Sequence, residues 1–272
     1  MEKLQAALDK ARKSRIGNAN SNVADSIRAA DGTDANGDVA GLWAALPAIE
    51  LREAGLLKHR VVTRTARQEA TPFDILRTKA LLQMRKNGWK RLAITSPMPQ
   101  SGKSTMSCNL ALALSRQHEL RSMLFDFDLR DPTIASFFDM DPKYGIGEAM
   151  MGTVPFESQA VRYQSNLIIS MAQREEADPT RILLADETGA RLSAIQAEYE
   201  PDVMIFDLPS VLVNDDTRAF LKNADCALIV VRADSTQHNQ FEICKREVSE
   251  QTSLLGVVLN AYRHNKKTVQ TA

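Results

Sequence analysis

Six apolar runs of strand length mark the sequence: RLAIT from Arg91, SMLFDFD from Ser122, NLIIS from Asn166, VMIFD from Val203, CALIVVR from Cys226 and LLGVVLN from Leu254. Runs that are apolar at nearly every position belong to strands covered on both faces. Between them lie stretches of helical periodicity, Ser104–Gln117, Pro179–Glu200 and Gln237–Glu250, the second opened by Asp178-Pro179, an N-cap followed by proline at the first helical position. Strands alternating with helices predict a doubly wound α/β fold, a mostly parallel sheet with helices on both faces. Upstream, HRVVTRT from His59 is a shorter strand candidate. The stretch after it, TPFDILRTKALLQMRKNG, places Phe73, Leu76, Ala80, Leu81 and Met84 on one helical face. The folded domain is expected over residues 59–260.

The chain has 272 residues, with 34 basic and 34 acidic side chains. That balance excludes a dedicated nucleic-acid neutraliser, so no nucleic-acid partner is expected. No apolar run approaches the roughly 20 residues that span a bilayer. The first residues, MEKLQAALDKARKSR, lack the apolar core of a secretory signal, so a cytoplasmic protein without a transmembrane segment is expected. Residues 1–16 set Leu4, Ala7, Leu8 and Ala11 at helical spacing among lysines and arginines. They predict a basic amphipathic helix, which either docks on its own domain or serves as a docking element for a partner. Residues 17–58 open with GNANSNVADSIRAADGTDANGDVAG, too poor in large apolar groups to offset the entropy of ordering, and are read as a flexible linker. Residues 261–272 form a tail. Cys108, Cys226 and Cys244 are dispersed and read as core thiols. His59, His118, His238 and His264 are too scattered for a metal cage.

The chemistry concentrates where RLAIT runs through Ser96-Pro97-Met98-Pro99-Gln100-Ser101-Gly102-Lys103-Ser104-Thr105 into a helix. Backbone N–H groups at a strand-to-helix loop and the positive end of the helix dipole cradle phosphates. Gly102 allows close approach of the backbone, Lys103 reaches the β- and γ-phosphates, and Ser104 can hold Mg²⁺. The common pattern has glycine five positions before Gly102, where this chain has Pro97. Two further runs end in carboxylates: Met123-Leu124-Phe125 leads to Asp126-Phe127-Asp128-Leu129-Arg130, and Val203-Met204-Ile205-Phe206 to Asp207-Leu208-Pro209. Carboxylates at the carboxyl ends of parallel strands face the crevice where such sheets bind ligands. Mg²⁺ takes few protein ligands and keeps several waters, which Ser104 with Asp128 and Asp207 behind it would satisfy.

The runs ITSPMPQSGKSTMSCNLALALSRQ, LFDFDLRDP, VMIFDLPSVLVNDD, ADCALIVVRADST and LLGVVLN together resemble the cytoplasmic domain of bacterial tyrosine kinases of capsule and exopolysaccharide synthesis, relatives of the MinD/ParA ATPases. The resemblance spans Phe73 to Asn260. It implies ATP and Mg²⁺ as cofactors, with Pro99, Ser101, Gly102, Lys103, Ser104 and Thr105 at the phosphates and Asn260 at the adenine. It implies Ser104, Asp128 and Asp207 as the metal's residues, Lys103, Asp126 and Asp128 as catalytic, with Asp126 the base for a tyrosine hydroxyl, and Asp216 as a further acidic candidate. It also implies a membrane-bound polysaccharide chain-length or co-polymerase protein as activating partner, a homo-oligomer, and a location at the inner membrane through that partner.

The family's oligomerisation pattern Glu-x-x-Arg-x-x-Arg reads here as Thr71, Asp74 and Arg77, and the tail carries a single tyrosine, Tyr262, read as packing beside the last strand. The expected activity is therefore ATP-dependent protein-tyrosine phosphorylation in exopolysaccharide export. The alternative is a MinD/ParA-like ATPase switch without kinase activity, although the extra lysine usual in that branch four residues before the loop glycine is Met98 here.

Overall fold

A computed structural model describes residues 35–262. The basic helix expected over 1–16 and the tail beyond Tyr262 lie outside the described residues. Two compact units divide the chain, residues 1–41 and 42–272, and the second contains the sheet.

In chain order the elements are α1 (Ala35–Ala45), β1 (Ala48–Ile49), α2 (Glu53–Lys58), α3 (Thr71–Asn87), β2 (Arg91–Thr95), α4 (Lys103–Ser115), β3 (Ser122–Asp126), α5 (Ile134–Phe137), α6 (Ile146–Met151), β4 (Val161–Tyr163), β5 (Leu167–Ser170), α7 (Pro179–Leu184), α8 (Asp186–Tyr199), β6 (Val203–Asp207), α9 (Asp216–Leu221), β7 (Cys226–Arg232), α10 (His238–Ser249) and β8 (Ser253–Asn260). The strands form one eight-stranded sheet in the order β1-β4-β5-β3-β6-β2-β7-β8. Every neighbouring pair is parallel except β4 and β5. The six predicted runs are all strands, and β3 and β6 lie at the centre.

Side chains alternate across a strand, and here the alternation separates two cores. Leu92 and Ile94 of β2, Leu124 of β3 and Ile205 of β6 join Leu110 and Leu114 of α4 in an aliphatic core, with Leu81 and Met84 of α3. The intervening positions Phe125 and Phe206 join Phe127, Phe220 of α9 and, through Phe156, Tyr199 of α8 in an aromatic cluster; the Phe127 and Phe220 rings lie 4.6 Å apart. Both faces are buried at β3, β5 and β6, whereas the edge strand β8 leaves Val257 and Leu259 42% and 55% exposed. The parity also decides where Asp126 and Asp207 point. Each lies two residues beyond an aliphatic-core residue, Leu124 or Ile205, and so faces α4.

Several expectations need correction. HRVVTRT is not a strand. Residues 59–61 close α2 in a Schellman turn, with Val61 N–H donating to the Leu56 carbonyl, Arg60 N–H to that of Leu57, and Arg60 at φ +59° where glycine is usual. The linker expected over 17–58 does not extend through its described part: α1, β1 and α2 occupy it, Leu46, Leu51 and Leu56 are buried, and the buried Trp43 indole donates to the Tyr199 carbonyl at 2.8 Å. The sheet-bearing unit thus begins near Leu42, not His59. The helix expected over Pro179–Glu200 is two helices. Ala185 is extended at ψ 136°, and the Thr188 hydroxyl takes the Ile182 carbonyl, which ends α7. Its start is as expected, with the Asp178 carboxylate capping Arg181 N–H. Tyr262 is 64% exposed. The three cysteines are buried free thiols.

Candidate functional site

The loop from Ser96 to Gly102 joins the carboxyl end of β2 to the amino end of α4, and its own polar groups shape it. The Ser96 and Ser101 hydroxyls both donate to the Met98 carbonyl, at 2.8 and 2.7 Å. From the far side of the sheet's edge, Arg232 at the end of β7 donates to the Gln100 carbonyl at 2.7 Å, and the Asn260 amide at the end of β8 donates to the Ser101 carbonyl at 2.8 Å. Gly102 caps α4 at φ +89°, and a Cβ there would lie 2.2 Å from Asn260 Nδ2. Glycine is required at this position for both reasons. Beyond it, the first turn of α4 leaves N–H groups without helical partners at the positive end of the dipole, as an anion site needs.

Beneath the loop lie three buried carboxylates. Asp126 and Asp207 are register partners at the carboxyl ends of β3 and β6, and Asp128 follows two residues on; their exposures are 0%, 0% and 4%. Lys103 Nζ meets Asp128 Oδ2 at 2.6 Å. Ser107 of α4 donates to Asp207 Oδ1 at 2.9 Å, and Ile134 N–H donates to Asp126 Oδ2 at 3.1 Å. The other oxygens, Asp126 Oδ1 and Asp207 Oδ2, are buried without a hydrogen-bond partner among the described residues. Burial, reinforced by Asp207, raises the Asp126 carboxyl well above the usual range. Burial also pushes Asp207 up to about 6, with Lys103 and the Ser104 and Ser107 hydroxyls pulling against it. For Lys103, burial disfavours the ammonium, but Asp207, Asp128 and Asp126 outweigh it and its pKa is raised. The pocket thus carries excess negative charge around one ammonium.

Above the loop opens a cavity of about 670 Å³. Of the residues expected at the phosphates and the base, Gly102, Lys103, Ser104, Thr105 and Asn260 line it. Pro99 and Ser101 do not line it, because Pro99 is exposed at the loop tip and Ser101 turns inward to Met98. The three carboxylates lie behind the wall rather than on it. Asp216 is committed elsewhere: fully buried, it accepts both Arg130 Nε and Nη2 and the Thr180 hydroxyl. That ion pair ties the loop after β3 to the start of α9. The cavity also takes in residues that sequence reasoning left out, among them His59, whose ring stacks on Phe137 at 4.2 Å, Arg60, Val62 and Arg232. The misplaced strand hid the first group. The position of Arg232 at the end of an apolar run beside the loop was its only signal.

Residues 92–272 match the family model described as the CobQ/CobB/MinD/ParA nucleotide binding domain. The chain belongs to this family. As a member of the CobQ/CobB/MinD/ParA group, it is 27% identical over 178 residues to the tyrosine-protein kinase YwqD of Bacillus subtilis, covering 65% of this chain and 74% of that protein. It is 26% identical over 212 residues to the tyrosine-protein kinase CpsD of Streptococcus agalactiae serotype III, covering 75% of this chain and 88% of that protein. Among solved structures, the kinase domain of the Escherichia coli tyrosine kinase ETK aligns with a TM-score of 0.67 at 21% identity, over 76% of this chain and 80% of that one. Cobyrinic acid a,c-diamide synthase from Mycobacterium smegmatis, with bound ATP analog and magnesium, aligns with a TM-score of 0.54 at 22% identity, over 64% of this chain and 73% of that one. These likenesses place the CobQ/CobB/MinD/ParA fold on the chain from β2 onward.

The donor set fits a nucleotide with Mg²⁺. The loop holds a glycine whose Cβ would collide, the helix start offers free N–H groups, and two carboxylate oxygens lie buried without partners. Among the described residues no three His, Cys, Asp or Glu side chains are spaced to hold a metal unaided. Mg²⁺ binds phosphates and water along with one or two protein groups.

Proposed function

We propose that the chain is an ATP-dependent protein-tyrosine kinase acting in bacterial exopolysaccharide or capsule export. The observation that carries this reading is the Asp126 carboxylate, with one oxygen unpartnered, at the strand end facing a lysine-bearing phosphate loop, in a chain whose relatives are named tyrosine-protein kinases. Phosphoryl transfer is mostly positioning and charge neutralisation. Gly102 and the N–H groups of Lys103, Ser104 and Thr105 would seat the ATP phosphates, with Asn260 at the adenine. Lys103 would leave Asp128 to neutralise the β/γ-oxygens. Ser104 would hold Mg²⁺, backed by Asp128 and Asp207. The metal, when bound, offsets phosphate charge. Asp126, 0% exposed behind the cavity wall, would orient the tyrosine hydroxyl and accept its proton once substrate binding uncovers it. A cation held by Ser104, Asp128 and Asp207 would lower its pKa toward a value at which it can do so.

A membrane-bound polysaccharide co-polymerase would supply activation and hold the protein at the inner membrane, and a homo-oligomer would bring acceptor and site together. Among the described residues no helix is long and apolar enough to cross a membrane. The oligomerisation pattern is spent within the subunit, since Asp74 pairs with both Arg77 and Arg116. Assembly through that helix would need a different contact.

The test incubates the protein with Mg-ATP, with and without candidate partner tails, and maps phosphotyrosine by mass spectrometry. ATP hydrolysis without phosphotyrosine on either protein would support the switch reading instead. Tyr163 and Tyr199 are buried, and Tyr262 stands two residues past Asn260, a reach of about 7 Å. Tyr262→Phe should therefore keep whatever phosphorylation the wild type shows. A map with most phosphate on Tyr262 would overturn that expectation.

A further inference from the structure

Among the described residues, 59–63 pair with no strand, yet one buried side chain holds their backbone. Asn109 of α4 is fully buried. Its Oδ1 accepts from Val62 N–H at 2.8 Å, its Nδ2 donates to the Arg60 carbonyl at 3.0 Å, and the Thr63 hydroxyl donates to the Asn109 carbonyl at 2.7 Å. One turn earlier on α4, the Thr105 hydroxyl donates to the His59 carbonyl at 3.3 Å. Asn109 sits among leucines and alanines, outside the phosphate motif. An amide there is costly unless both ends are bonded, and here both ends fasten this strap to the phosphate-binding helix. The strap in turn presents Lys58, His59, Arg60 and Val62 to the same cavity as Gly102 through Thr105.

Thr105 closes the phosphate motif, and phosphates seated on the first turn of α4 leave the group they esterify beyond it, where the strap begins. We infer that residues 59–63 are the nucleoside-side wall of the cavity, and that Asn109 is the positioning residue that fixes this wall. The inference rests on the nucleotide reading of the site. It assigns the wall a part in discriminating a nucleotide from a bare polyphosphate, with an apolar face at Val62 and a stacked imidazole at His59 to meet a ribose or base.

Thr63→Val removes one fastening bond almost isosterically and leaves the phosphate motif unchanged. Binding of Mg-ATP and of Mg-tripolyphosphate to the full chain is measured by titration calorimetry, while amide hydrogen exchange is followed over the strap. ATP affinity should fall about three- to tenfold, the scale of one hydrogen bond, with tripolyphosphate affinity unchanged and exchange over the strap faster. Thr63→Ser should restore all three. Val62→Ser, which spares every fastening bond, should show the same selective loss and covers the case in which Thr63→Val fails to fold. Equal losses for the two ligands, or unchanged ATP affinity, would overturn the wall. Wild-type protein that binds neither ligand would refute the nucleotide reading itself, whereas tripolyphosphate binding as tight as ATP binding would refute the wall alone.

Discussion

Lys103 is the only cation in contact with a buried group of three carboxylates among the described residues, so it serves them before it serves any ligand. Lys103→Met removes both roles. Loss of a preorganised charge contact of this kind costs about 2–4 kcal/mol, so Mg-ATP affinity should fall accordingly while circular dichroism keeps its folded form. Wild-type affinity in that variant would remove the phosphate-loop assignment. The carboxylates carry a separate, pH-dependent signature. A carboxyl whose pKa is higher folded than unfolded favours folding where it is protonated. For Asp207 that contribution is complete below the ordinary value of 3.8 and is lost as pH rises through about 6. Going from about pH 7.5 to about pH 5, the nucleotide-free wild type should therefore gain thermal stability relative to Asp207→Asn. Parallel melting-temperature curves for the two proteins would show that Asp207 is not the group responsible.

Among the elements, α3 gives the sharpest test of which face is load-carrying. Met84 is 2% exposed and packs in the aliphatic core, whereas Leu82, two residues earlier, is 65% exposed. Met84→Ala should destabilise by about 2–5 kcal/mol, and Leu82→Ser should stay within about 0.5 kcal/mol, both read from denaturant midpoints. The same contrast explains what the sequence could show. Long apolar runs such as VMIFD read as strands, doubly covered in the middle of the sheet though not at the edge, where LLGVVLN is half open, and the motif carboxylates were legible because they end two of those runs. The two-residue β1 and three-residue β4 were invisible, since so few residues carry no period. HRVVTRT has strand composition, but its apolar pair sits at a Schellman turn and its backbone bonds go to Asn109, a partner dozens of residues away. The break at Ala185 depends on a single hydroxyl, Thr188, capturing a carbonyl that the continuous helix would have used.

For the molecule as a whole, the sheet, both cores and the cavity lie within the unit that begins at Leu42. Deleting residues 1–34 leaves α1 and its Trp43 in the chain. The shortened protein should melt cooperatively, bind Mg-ATP as the full chain does and keep the buried-indole fluorescence of Trp43. Loss of nucleotide binding on this deletion would show that the first residues belong to the site. A parallel sheet also sets where the polypeptide leaves the domain. β8 ends at Asn260, whose amide grips the phosphate loop, and Ala261 already lines the cavity. Anything covalently continued from this end therefore starts at the mouth of the nucleotide pocket. A reporter joined directly behind Asn260, in place of residues 261–272, would crowd ligand entry and be misread as low intrinsic affinity.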